Sequence, residues 1–206
     1  MEILKKKLFI ALSIMMGLVV ISSNFLVQFP VRIFGLEELL TYGAFSYPIT
    51  FLITDLANRA FGKGEARKIV YIGFVIGVLL TLFISTNFKD IISIRIAIGS
   101  GLAFFVAQNL DVNIFDKLRK HRFWFTAPLA SSIIGSTVDT FLFFGIAFYG
   151  TGISWLTLSI GDLVVKLLIA MLMLVPFKLL LDIVKDFSSV KKVKTILCKV
   201  DLLSEK

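Results

Sequence analysis

Cysteine and histidine are almost missing from this chain; each occurs once, as Cys198 and His121. One cysteine excludes an intramolecular disulfide and any cysteine-cluster metal site. The single histidine lies in a basic loop, where HRFW follows KLRK, with no serine and aspartate set of the kind a nucleophilic triad needs. No G-x-x-x-x-G-K-S/T loop, H-E-x-x-H helix, G-x-S-x-G elbow or C-x-x-C pair occurs. The first absence removes the P-loop route to ATP, and the others remove familiar nucleophile and metal sites. No nucleophile is assembled with its base, so an enzyme is not expected, and neither is a cofactor or a metal.

Acidic residues are also scarce, 14 against 22 basic ones, for a net charge of +8. The excess does not point to nucleic acid, because it is not gathered on one basic domain. It sits in short clusters between apolar stretches, as the positive-inside rule describes. Those stretches dominate the chain: 57% of its 206 residues are apolar, 21 of them are Phe, and the mean hydropathy is +0.92. Soluble domains are about 45–50% apolar, and one core of this size has no room for so much Phe, Ile and Leu. A lipid bilayer is the expected solvent.

Spanning the hydrocarbon takes roughly 20 apolar residues. Six windows qualify, at about 8–29, 39–57, 69–88, 91–115, 123–149 and 154–180. The first is too long for a signal-peptide core and lacks a small-x-small cleavage site, so it reads as a retained helix. The second is the least apolar, since TYGAFSYPITFLITD carries Gly43, Pro48 and several hydroxyls. Pro48 removes a backbone donor and should kink or interrupt that helix. At membrane depth such a break needs protein or a wet cavity to receive the freed groups, which makes this helix a candidate cavity wall.

Basic residues set the orientation. One side collects Lys5–Lys7, Arg59, Lys63, Arg67, Lys68, Lys117, Arg119, Lys120, Arg122 and seven lysines from Lys178 onward. The other has only Arg32, Lys89 and Arg95. Eighteen against three places both termini in the cytoplasm. The expected architecture is one all-α integral membrane domain over 1–206, with six transmembrane helices. Its basic tail, 182–206, is open to two readings: a surface helix on the anionic leaflet, or a solvated end.

Ionisable groups inside a span cost at least about 2.5–3.5 kcal/mol on insertion scales, so each needs a partner or a purpose. Arg95, Asp139, Asp162 and Lys166 fall well inside their windows. The topology puts Arg95, Asp139 and Asp162 in the outer half of the bilayer, at depths that suit one cavity, with Lys166 a turn deeper. Asp162 and Lys166 are i,i+4 and can neutralise each other on one helix. Asp139 has no such neighbour, so its partner is Arg95, Lys166 or a substrate. Asn24 and Ser46 are candidates to add neutral hydrogen bonds there. A second set, Asp55 with Arg59 at i,i+4 and Gln108 with Asp111, lies toward the cytoplasmic end. It reads equally as a gate tying helix ends together or as plain scaffold. Small residues, Gly99, Ser100, Gly101 and Ala103, then Ser131, Ser132, Gly135, Ser136 and Thr137, allow close helix approach near Asp139.

Three stretches carry a family resemblance: GAFSYPITFLITDLANRAFGKGEARKIV at 43–70, VAQNLDVNIFDKLRK at 106–120 and APLASSIIGSTVDTFLFFGIAF at 127–148. A weaker match is the Asp162/Lys166 spacing in GDLVVKLL. The chain resembles the vitamin uptake transporter family, whose characterised bacterial members are queuosine-precursor transporters. The likeness runs from about residue 25 to 180. It implies import of 7-cyano-7-deazaguanine, and of 7-aminomethyl-7-deazaguanine as a second candidate, for queuosine in transfer RNA. It also implies a fold like that of the membrane substrate-binding subunits of vitamin transporters. Energy coupling stays open: equilibration, an ion, or a partner ATPase module. A substrate-capturing subunit of an ATP-driven complex is the alternative reading.

Overall fold

The computed structural model describes residues 2–32, 40–80 and 91–204, with side chains as far as Leu181. Among the described residues the fold is helical: α1 (Glu2–Leu26), α2 (Gly43–Ser46), α3 (Pro48–Phe61), α4 (Lys63–Leu80), α5 (Ile91–Leu118), α6 (Thr126–Phe148) and α7 (Trp155–Ser204). The strand-like pairing is one bridge between Pro30 and Thr41. Segments Ile3–Leu26, Ile91–Leu118, Thr126–Phe148 and Trp155–Leu181 are long and apolar enough to cross a membrane.

The remaining two expected spans look different. α3 is only 14 residues long, and α4 opens with charged residues in KGEARK. The expected window 69–88 runs beyond Leu80 into residues outside the described ones, and Lys89 lies outside them too. The tail expected at 182–206 falls beyond the last described side chain.

Pro48 interrupts the second window as its chemistry requires. α2 ends at Ser46, and α3 begins with Pro48 in its first turn. Without an N–H, Pro48 cannot bond the carbonyl four residues back, while a proline fits the first turn, where donors lack helical partners anyway. At the far end Gly62 takes φ +90°, a left-handed conformation that favours glycine, and its N–H bonds the carbonyl of Asn58.

Short and polar as it is, α3 is the hub of the bundle. Ten of its 14 residues are buried, and it packs against α1, α4, α5, α6 and α7. Its hydroxyls and amides therefore meet protein rather than lipid, which is why its hydropathy is low. The periphery reads the opposite way. Leu156, Ile160, Val164, Leu168, Leu172, Val175 and Leu179 form one exposed stripe along α7 at a spacing of three or four. In water such a contiguous apolar face is an aggregation hazard; in a bilayer it meets its own kind.

Helices approach closely where side chains vanish. A Cβ on Gly73 or Gly77 of α4 would lie 2.3 Å from Met16 or Val20 of α1, and one on Gly135 of α6 would lie 2.6 Å from the Phe51 ring of α3. Gly99 and Gly135 confirm the packing role expected of small residues on α5 and α6, since a Cβ on Gly99 would press on Ile146 at 3.3 Å.

Candidate functional site

The buried face of α7 carries Ser159, Asp162 and Lys166, and that of α6 carries Ser136, Asp139 and Thr140. These faces meet beside the α2–α3 break, where Tyr47 enters from the hub. Lys166 is the centre of the group. Its ammonium lies 2.7 Å from Asp162, 3.0 Å from Asp139 and 3.2 Å from the Thr140 hydroxyl. An ammonium has three donors, and all three are occupied. Nζ also sits 4.7 Å from the centroid of the Tyr47 ring, in cation–π range.

The acceptors are equally well served. Tyr47 donates its hydroxyl to the other oxygen of Asp139 at 2.6 Å, and Thr140 donates to Asp162 at 3.0 Å. Asp139, Asp162 and Lys166 are 3%, 2% and 4% exposed. Two carboxylates against one ammonium leave an excess of one formal negative charge, enclosed by α3, α6 and α7. The expectation that Asp162 and Lys166 neutralise each other is correct but incomplete, because Asp139 shares the same lysine.

A cavity opens against this cluster. It is lined by Ser23, Asn24 and Val27 of the first helical segment and its end, by Gly43 and Tyr47, by Ser100, and by Phe143, Asp139, Asp162 and Lys166. Asn24 accepts a hydrogen bond from Ser100, which ties α1 to α5. Ser46 is not among the lining residues; it bonds Ser23 at 2.8 Å and braces α2 against α1. The cavity volume is about 30 Å³, room for one or two waters.

Arg95 departs from the expected constellation. Its guanidinium donates to the carbonyls of Ile146 and Tyr149 at 2.9 and 2.7 Å, so it caps the C-terminal end of α6 instead of facing the acids. Unpaired carbonyls at a helix C-terminus attract a cation, and α6 ends within reach of α5. Asp55 and Arg59 likewise do not pair. Arg59 donates to the carbonyl of Arg119 just past α5, at 2.8 Å, and Arg119 donates back to the carbonyl of Asn58 near the end of α3, at 3.1 Å. The ends of α3 and α5 are tied together, as a gate or a scaffold would need, but by arginine–carbonyl bonds and not by the i,i+4 pair. Arg59 also borders a second pocket of about 200 Å³, with Arg119, Arg122, Trp124 and the exposed His121.

Gln108 and Asp111 are both fully buried on α5. Gln108 donates to Thr50 at 2.8 Å and accepts from Thr54 at 2.5 Å, which locks α5 to the hub. Asp111 lies beside Asp55 and Ser131, yet neither of its carboxylate oxygens makes a hydrogen bond of ordinary geometry.

Comparison with known proteins fits this arrangement. A family model described as "Putative vitamin uptake transporter" matches residues 41–181, a stretch holding the break, both acids and the lysine. The chain belongs to that family. It is 37% identical to the queuosine precursor transporter of Escherichia coli (strain K12) over 183 residues, 80% of this chain and 82% of that protein. It is 35% identical to the "Probable queuosine precursor transporter" of Haemophilus influenzae (strain ATCC 51907 / DSM 11121 / KW20 / Rd) over 202 residues, covering 84% and 85%. A third relative, the "Probable queuosine precursor transporter" of Bacillus subtilis (strain 168), is 29% identical over 185 residues, covering 79% and 80%. No solved structure matches the chain.

As a family member, the protein is a multi-pass membrane transporter for a small molecule. Two functional candidates escape a reading of the sequence. Tyr47 is hidden among abundant aromatics, although its place immediately before Pro48 marks it as the residue at the helix break. Thr140 is hidden because a threonine next to Asp139 looks like packing until α7 is laid against it.

Proposed function

We propose that this family member imports queuosine precursors, with 7-cyano-7-deazaguanine as the leading substrate, across the cytoplasmic inner membrane. In this reading the chain crosses the bilayer six times with both termini in the cytoplasm, following its basic-residue asymmetry. α2–α3 and α4 supply the two spans whose composition is least typical. The relatives are named as transporters, which favours this reading over an ATP-driven capture subunit.

The single observation that carries the proposal is the buried Asp139–Lys166–Asp162 cluster, with one negative charge in excess, on the wall of a cavity. A deazaguanine presents neighbouring N–H donors on its pyrimidine edge, which one carboxylate accepts in a bidentate manner. Its flat ring suits the Tyr47 and Phe143 faces. In the present conformation Lys166 and Tyr47 occupy the oxygens of Asp139, and the cavity of about 30 Å³ is too small for a bicyclic base. Binding then consists of exchanging an internal donor for the donors of the guest, with the lysine held by Asp162 and Thr140. Such an exchange keeps each buried polar group paired at every stage, which a membrane interior requires.

The test is uptake of radiolabelled 7-cyano-7-deazaguanine by cells that cannot make it. Cells carrying the chain are expected to accumulate label in transfer RNA, and those without it are not. Asp139→Asn is expected to reduce uptake at least tenfold while the protein is still inserted in the membrane. Normal uptake by this variant would remove Asp139 from the substrate site.

A further inference from the structure

Deeper along α3 lies a second pair of buried acids, of a different kind. Asp55 is 2% exposed and Asp111 is fully buried. They face one another across the α3–α5 contact, and Ser131 of α6 donates its hydroxyl to Asp55 at 3.2 Å. No cation compensates them among the described residues. On α3 itself Arg59 is turned to the carbonyl of Arg119; from the α5 end Arg119 is turned to Asn58 and Asp116; from α4 Arg67 donates to Asn113. α6 presents only the serine hydroxyl, and no charged side chain of α1 or α7 forms an ion pair with either acid among the described residues. Two buried carboxylates at close quarters, with no counter-ion among the described residues, repel each other and lose their hydration. Such pairs exist by sharing one proton.

We propose that Asp55 and Asp111 together hold one exchangeable proton, and that loading and release of this proton drives import. The inference rests on the transport reading above. The step is a protonation: an O–H bond forms on one carboxylate oxygen on the side where the proton enters, and it breaks to water on the side where it leaves. Both acids are closed off from solvent, so the proton exchanges only when α3, α5 and α6 part. Exchange is thereby bound to the conformational cycle, which is what coupling demands. A buried chain of hydrogen bonds between α3 and α5 also leads from beside this pair toward the substrate cavity. It passes from Thr54, the residue before Asp55, through Gln108 and Thr50 to Tyr47, whose carbonyl accepts from Thr50 at 2.7 Å.

Two measurements decide the matter. Infrared spectra of the purified wild-type protein at neutral pH are expected to show one protonated carboxyl band that the Asp55→Asn/Asp111→Asn double variant lacks. Absence of that band overturns the proposal whatever the substrate proves to be. In proteoliposomes, an acid-outside gradient of one pH unit is expected to concentrate labelled 7-cyano-7-deazaguanine roughly tenfold inside, for one proton per substrate. Asp111→Asn is expected to exchange labelled for unlabelled base and to fail to concentrate it. Accumulation that ignores the proton gradient, follows sodium instead, or persists in Asp111→Asn overturns the coupling role. If the wild type shows the infrared band and exchanges no deazaguanine, the substrate assignment and the coupling role fall and the proton site stands.

Discussion

The two acidic centres of this bundle lie near the two ends of the hub, one between α6 and α7 beside the break before Pro48, the other between α3 and α5, and they are built on opposite principles. Around Lys166 every donor has an acceptor, with two carboxylates, a hydroxyl and an aromatic face arranged about one ammonium. Among the described residues nothing donates to Asp111 with ordinary geometry, and Asp55 accepts from Ser131. In the first centre each donor of the ammonium is taken, although one negative charge stays in excess. The second is unfinished, with buried carboxylate oxygens on Asp111 that no described residue serves. The binding and energising roles proposed above would place these contrary demands on buried carboxylates, and two separate centres would let one short chain meet both.

That contrast can be broken by subtraction. Lys166→Ala strands two buried carboxylates, and removing one partner of a buried ion pair costs about 3–5 kcal/mol. The expected outcome is a loss of thermal stability larger than that of Gly135→Ala or Asp111→Asn, read by unfolding in detergent, with uptake lost as well. A small loss would mean that the lysine cluster is not the closed network its distances describe. Gly135→Ala probes the packing between the centres, because its Cβ meets the Phe51 ring at 2.6 Å. Overpacking of this kind costs about 1–3 kcal/mol, and the added Phe51→Leu change is expected to restore most of it. Asp111→Asn has the smallest expected effect. Replacing a carboxylate that has no cation by a neutral isostere relieves repulsion, so the melting temperature is expected to hold or rise. A loss as large as that of Lys166→Ala would erase the distinction between the two centres.

Much of this arrangement is legible in the sequence, for reasons that separate what is local from what is not. Long apolar windows reveal α1, α5, α6 and α7 because lipid demands length and hydropathy together. The cost of ionisation in oil singles out Asp139, Asp162 and Lys166, and the i,i+4 spacing already joins two of them. Pro48 reveals the break. Arg95 and Arg59 mislead because charge suggests acids as partners, whereas the carbonyls exposed at helix C-termini lie nearer. Their positions close to helix ends are the available signal. The role of α3 as the hub is hidden for a related reason: a helix sheltered by five neighbours has no need of an apolar surface, so the hydropathy that announces the others is weak in the most central one.

The occupied ammonium of Lys166 has a consequence for the protein at rest. A carrier standing vacant in an energised membrane risks becoming a leak, because naked acids in a hollow invite sodium or protons to slip through unaccompanied. In this bundle the hollow keeps a tethered stand-in, a cation that cannot leave. One of the two acid charges is thereby cancelled in place, so in the reading proposed above the vacant hollow offers a stray cation less than two bare acids would.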